Sequence, residues 1–119
     1  MPHVPTWLQA EIADFGKALH LPEFHLNERG AALFRAKDGQ SFGLECQEET
    51  LFLYRLGEWD GTVETAKELL MEAHPLRQIP GKPRIRVGVF HGRAARVIAL
   101  PFPEVNRQSL EESLRRLWK

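Results

Sequence analysis

Ala31-Ala32-Leu33-Phe34-Arg35-Ala36-Lys37-Asp38-Gly39-Gln40-Ser41-Phe42-Gly43-Leu44-Glu45-Cys46-Gln47-Glu48-Glu49-Thr50-Leu51-Phe52-Leu53-Tyr54-Arg55-Leu56 is the stretch that decides the fold. Ala31 to Ala36 and Phe42 to Cys46 are short apolar runs. Lys37-Asp38-Gly39-Gln40 joins them, and its Asp-Gly pair is a favoured hairpin turn. Gln47 to Thr50 is a second polar turn, and Leu51 to Leu56 reads as a third strand. That strand is apolar on both parities, which predicts cover on both of its faces.

Upstream lies a helix. Leu8, Ile12, Phe15 and Leu19 recur at spacings of four, three and four, one face of a 3.6-residue period. Thr6 is placed to cap it, with Gln9 three residues on as in a capping box. Pro22 stops it near His20 or Leu21. Downstream, Gly57 to Gly61 ends the third strand and Thr62 caps a second helix. Val63, Ala66, Leu69, Leu70 and Ala73 form its stripe, and Pro75 and Pro80-Gly81 stop it. Ile85, Val87 and Val89 alternate with Arg84, Arg86 and Gly88, predicting a fourth strand with one buried face. His91-Gly92 turns the chain into a fifth strand, Ala94 to Leu100. Asn106 or Ser109 opens a last helix bearing Leu110, Leu114 and Leu117. On it Glu111–Arg115 and Glu112–Arg116 stand at the i,i+4 spacing of ion pairs. The order α-β-β-β-α-β-β-α, dominated by hairpins, predicts an α+β fold: a largely antiparallel sheet with helices packed on it.

The chain has 119 residues, 43% of them hydrophobic and 27% charged, which suits one globular domain spanning 1–119. Its single cysteine excludes an internal disulfide and a Cys-rich metal site. No apolar run reaches the length of a membrane span, and the start has no signal-peptide pattern. Net charge is zero. Residues 1–72 nevertheless hold 13 acidic against six basic side chains, while residues 73–103 hold six basic and none acidic.

Catalytic equipment is not evident. The histidines form no ligand-spaced pair, and His20 and His25 read as surface residues at a helix end. Cys46 reads as a buried structural thiol. Glu48-Glu49 falls in a turn and Glu111-Glu112 on a helix, where sequence neighbours do not face each other. No nucleophile elbow, P-loop or zinc motif occurs. No enzyme, metal or cofactor is expected.

Two binding surfaces merit consideration. Lys82, Arg84, Arg86, Arg93 and Arg96, with Phe90 and His91, would make the hairpin 82–96 a nucleic-acid surface. The neutral total and the acidic first half disfavour it, and the same arginines read equally as a solvated strand face or as partners of the acidic helices. Secondly, Trp7, Phe34, Phe52, Tyr54, Trp59, Phe90 and Phe102 are many large side chains for a thin domain, and an uncovered apolar patch marks a partner site.

Phe15-Gly16-Lys17-Ala18-Leu19-His20-Leu21-Pro22-Glu23-Phe24-His25-Leu26-Asn27-Glu28-Arg29-Gly30 resembles the opening helix, leucine–proline turn and entry to the first strand of the class I type III secretion chaperones, small effector chaperones of Gram-negative bacteria of the Tir/CesT type. Leu44-Glu45-Cys46 and Leu51 to Gly57 resemble their second and third strands, and the element order is theirs over nearly the whole chain. The neutral charge, the basic hairpin and the short final helix depart from the family pattern. The resemblance implies a cytoplasmic bacterial homodimer without catalytic activity. Such a protein holds the N-terminal chaperone-binding segment of a secreted effector in extended, soluble, secretion-competent form. It implies effector contacts at Trp7, Leu8, Phe15, Leu33, Phe34, Phe52 and Tyr54. It implies a dimer contact at Val63, Ala66, Leu70 and Ala73, a stripe that would pack equally well on its own sheet. Phe34→Asp or Phe52→Asp is then expected to weaken effector binding in a dimer that stays folded.

Overall fold

The hairpin residues build the first three strands of one five-stranded sheet. The computed structural model describes residues 4–21, 23–36, 38–90 and 92–118. The order is α1 (Thr6–Ala18), β1 (Ala31–Arg35), β2 (Ser41–Gln47), β3 (Thr50–Glu58), α2 (Val63–Glu72), β4 (Ile85–Phe90), β5 (Arg93–Pro101) and α3 (Arg107–Leu117). Single 3-10 turns sit at Pro75–Arg77 and Phe102–Glu104. The sheet runs β1-β2-β3-β5-β4 and every pairing is antiparallel. The α+β architecture and the element order are those expected.

Several local readings change. Gln9 makes no capping box: Pro5 occupies the N-cap and makes no side-chain cap bond. The Gln9 amide instead clamps Leu26, accepting from its N–H and donating to its carbonyl, each at 3.0 Å. The helix ends one turn early in a Schellman arrangement, with His20 in the left-handed region and Leu21 N–H donating to the Gly16 carbonyl at 2.8 Å. Pro22, Lys37 and His91, assigned above to a helix stop and two turns, and His3, fall outside the described residues. Gly57 does not break β3, which continues to Glu58 with Gly57 paired to Ala94. The α3 pairs differ as well. Glu112 binds Lys82 at 2.7 Å and Glu111 binds Arg107 at 3.3 Å, while Arg116 donates to the Pro83 carbonyl. Asn106 and Ser109 together form the α3 capping box.

Side-chain alternation then sorts the two faces. Leu51, Leu53 and Arg55 of β3 are buried, together with Phe42, Leu44 and Cys46 of β2 and Ile98 and Leu100 of β5. With α1 and α3 they enclose the core, to which Leu8, Ile12, Phe15, Leu110 and Leu117 contribute. An aromatic chain runs through it: Phe15 and Trp118 stand about Phe42, Phe42 meets Phe34 at 5.2 Å between ring centroids, and Phe34 meets Phe24 at 5.8 Å. Phe52, Tyr54 and Leu56 point to the other face and are only half-buried. The expectation that both faces of β3 are covered is therefore met on one face alone. Likewise β4 has no fully buried face: Val89 is exposed, β4 being an edge strand with α2 beside it.

Candidate binding surfaces

An antiparallel strand directs the N–H and C=O of alternate residues to opposite sides. Gly30 accepts from Cys46 N–H at 2.7 Å and Ala36 donates to the Gln40 carbonyl at 2.7 Å, so the even residues of β1 serve β2. Ala31, Leu33 and Arg35 therefore direct their backbone groups outward. Those of Ala31 are taken by Asn27, whose side chain accepts from Ala31 N–H at 3.1 Å and whose own N–H donates to the Ala31 carbonyl at 2.8 Å. Leu33 and Arg35 are left open among the described residues. The opposite edge repeats the device. Gln78 clamps Ile85 of β4, accepting its N–H at 2.9 Å and donating to its carbonyl at 3.3 Å. By the same parity Val87 and Val89 remain open.

Each edge has an apolar neighbourhood. Beside β1, on the helix side, lies a pocket of about 390 Å³ lined by Leu19, Leu21, Phe34, Ala36, Leu114 and Trp118, with Arg115 at its rim. Across the helix-free face runs a groove of about 630 Å³ that reaches from Leu33 over Phe52 and Tyr54 to Val97 and Phe90. The Tyr54 ring lies against Gly43, where any Cβ would collide with it. Burial, and then the Glu45 carboxylate, push the Tyr54 hydroxyl above its ordinary pKa. Beside β4, α2 buries only Leu69, leaving Val63 66% and Leu70 65% exposed, with Met71, Leu76 and Ile79 also exposed.

Of the residues assigned to effector contact, Leu8 and Phe15 are fully buried and belong to the core. The stripe they share with Ile12 is the inward face of α1. Trp7 is exposed at the opposite end of α1 from the β1 edge, its ring edge-on to Phe102 at 5.5 Å. Leu33, 61% exposed, and Phe34 stand on opposite faces of the β1 edge, and Phe52 and Tyr54 line the groove. In the α2 stripe, Val63 and Leu70 face outward, while Ala66 and Ala73 are half-buried. Sequence reasoning missed Leu21, Leu114, Trp118 and Arg115. Leu114 and Arg115 sit on the last helix and Trp118 follows it, and the packing of Trp118 against Phe42 brings this end of the helix to β1.

The basic hairpin is largely spent inside the molecule. Arg96 makes a two-pronged pair with Glu72 at 2.7 and 2.8 Å, and Lys82 pairs with Glu112. Arg93 donates to the carbonyls of Gly39 and Leu56. Arg84 and Arg86 remain, too few for a phosphate-binding surface. Cys46 is buried, which raises its thiol pKa and makes it a poor nucleophile. Among the described residues no helix is long and apolar enough to cross a membrane.

No protein-family profile matches the sequence and no curated protein matches it. Solved structures do. A chain in the HopA1–SchA chaperone–effector complex is 19% identical, with a TM-score of 0.71 over 92% of this chain and 85% of that one. A chain in the ExsC–ExsE complex is 16% identical, with a TM-score of 0.74 over 95% and 86%. A chain in the structure of the Yersinia pestis type III secretion chaperone SycH, in complex with a stable fragment of YscM2, is 18% identical, with a TM-score of 0.70 over 92% of each. The fold is that of the type III secretion chaperones.

Proposed function

We propose that this protein is a type III secretion chaperone: a non-catalytic binding protein that holds the N-terminal segment of an effector in extended form, soluble and ready for export. The observation that carries this reading is the β1 edge. Two consecutive outward-facing residues, Leu33 and Arg35, offer free main-chain donors and acceptors beside an apolar pocket, the arrangement by which an extended segment adds a strand to a sheet. Main-chain pairing accepts many sequences, and the pocket and groove take alternate side chains. A segment held this way cannot fold or aggregate, and it is released without unfolding work. Phe34 and Leu33 are its contacts on the two sides of the edge, and Phe52 and Tyr54 extend the surface along the groove.

The second apolar face supports a homodimer. Val63 and Leu70 of α2, next to the open edge of β4, are too exposed for an isolated chain of this size and suit a second copy. The bacterial cytoplasm is the compartment for both roles.

The test separates main-chain pairing from folding. Leu33→Pro removes an outward N–H and leaves every bond to β2 intact, as edge strands tolerate. It is expected to weaken binding of a co-expressed effector N-terminal segment at least about ten-fold with the fold unchanged by circular dichroism. Undiminished binding by a folded Leu33→Pro variant would remove β1 from the site.

A further inference from the structure

The charges around the β1 edge are arranged unevenly. The helix-side pocket has an apolar lining broken by one charged residue, Arg115. Arg35 lies on the opposite face of the same edge, and both arginines are exposed. Neither takes part in an ion pair among the described residues. Asp38, the carboxylate nearest Arg35 in sequence, is occupied by Gln40, accepting its N–H at 2.9 Å and its side-chain amide at 3.0 Å. Glu111 and Glu112, the carboxylates nearest Arg115, are held by Arg107 at 3.3 Å and Lys82 at 2.7 Å. At the other end of β1 the sign reverses, with Glu45 opposite Ala31.

We propose that this edge selects an extended segment carrying one apolar side chain flanked by carboxylates, the apolar group entering the pocket beside Phe34 and the carboxylates meeting Arg35 and Arg115. The inference rests on the client reading above and names the chemistry of the client. It follows from strand alternation. A residue lodged in the helix-side pocket turns its immediate neighbours to the open face, where Arg35 stands. The residues two positions away return to the helix side, at the rim held by Arg115. Opposite charges on adjacent strands attract and like charges repel, so the cations both reward an acidic flank and reject a basic one.

Short synthetic peptides test this: alternating Thr and Val about a central Leu, flanked by Asp, Asn or Lys, titrated against the protein by fluorescence anisotropy at low and high salt. The Asp-flanked peptide is expected to bind about ten-fold tighter than the Lys-flanked one, with the gap closing as salt rises. The double variant Arg35→Glu/Arg115→Glu, both positions being exposed, is expected to reverse the order while melting at the parent temperature. Equal binding of all three peptides, or an order unchanged by charge reversal, overturns the charge selection and leaves the strand-addition reading standing. Failure of all three, the neutral Asn-flanked peptide included, removes that reading and the selection with it.

Discussion

Gln9 illustrates how one side chain fixes the entry to the sheet. Its amide satisfies both main-chain groups of Leu26, seventeen residues away, and ties α1 to the segment that feeds β1. Gln9→Ala leaves that N–H and C=O part-buried and unpaired, an expected loss of about 1–3 kcal/mol in denaturant unfolding. Arg55 predicts the opposite sign. It is 7% exposed, stacks on Trp118 at 5.5 Å from the ring centroid, and its Nε has no hydrogen-bond partner among the described residues. Burial, then Arg96, push its guanidinium below the ordinary range, and Glu72 and Asp38 only partly offset them. A buried cation without a close counter-ion costs stability, and an apolar residue of similar length does not. Arg55→Met is therefore expected to unfold within about 1 kcal/mol of the parent or above it. A loss of several kcal/mol would mean that the cation has a partner in solution.

At the scale of elements, the hairpins were legible because turn chemistry is local, and the faces were not. Asp38-Gly39 turns the chain as its composition demands, with Gly39 at φ +84°. The β2–β3 turn breaks that logic: Glu48 and Glu49 both sit at positive φ, 45° and 62°, in the left-handed pair that a two-residue hairpin needs. Each costs about 1–2 kcal/mol relative to a residue at ease there. Glu48→Asn with Glu49→Gly is expected to raise the melting temperature by several degrees; an unchanged or lower value would show the turn to be relaxed. For β3, apolar residues on both parities concealed which face meets the helices. The answer lies in tertiary pairing, since Phe52 and Tyr54 stand beside Ala99 and Val97 of β5 on a face that no helix residue lines. Periodicity had grouped Leu8 and Phe15 with Ile12 on one face of α1, while the resemblance drew Leu8 and Phe15 to an effector contact; the face they share is the buried one. Arg35 and Arg115 left no signal, because a surface arginine looks alike wherever it lies.

Over the whole molecule, the basic hairpin is paired internally, Arg96 with Glu72 of the acidic first half and Lys82 with Glu112 of α3. Two open sheet edges remain, each clamped at its first residue by a side-chain amide and each flanked by an uncovered apolar surface. On the proposed reading, one takes an extended client and the other a second copy of the chain. The most direct measurement is the light-scattering mass of the protein purified alone and after co-expression with the products of neighbouring genes. The account predicts twice the 13.7 kDa chain mass alone, and a dimer that retains one neighbouring protein through its N-terminal region. A monomer that retains none of them would contradict it.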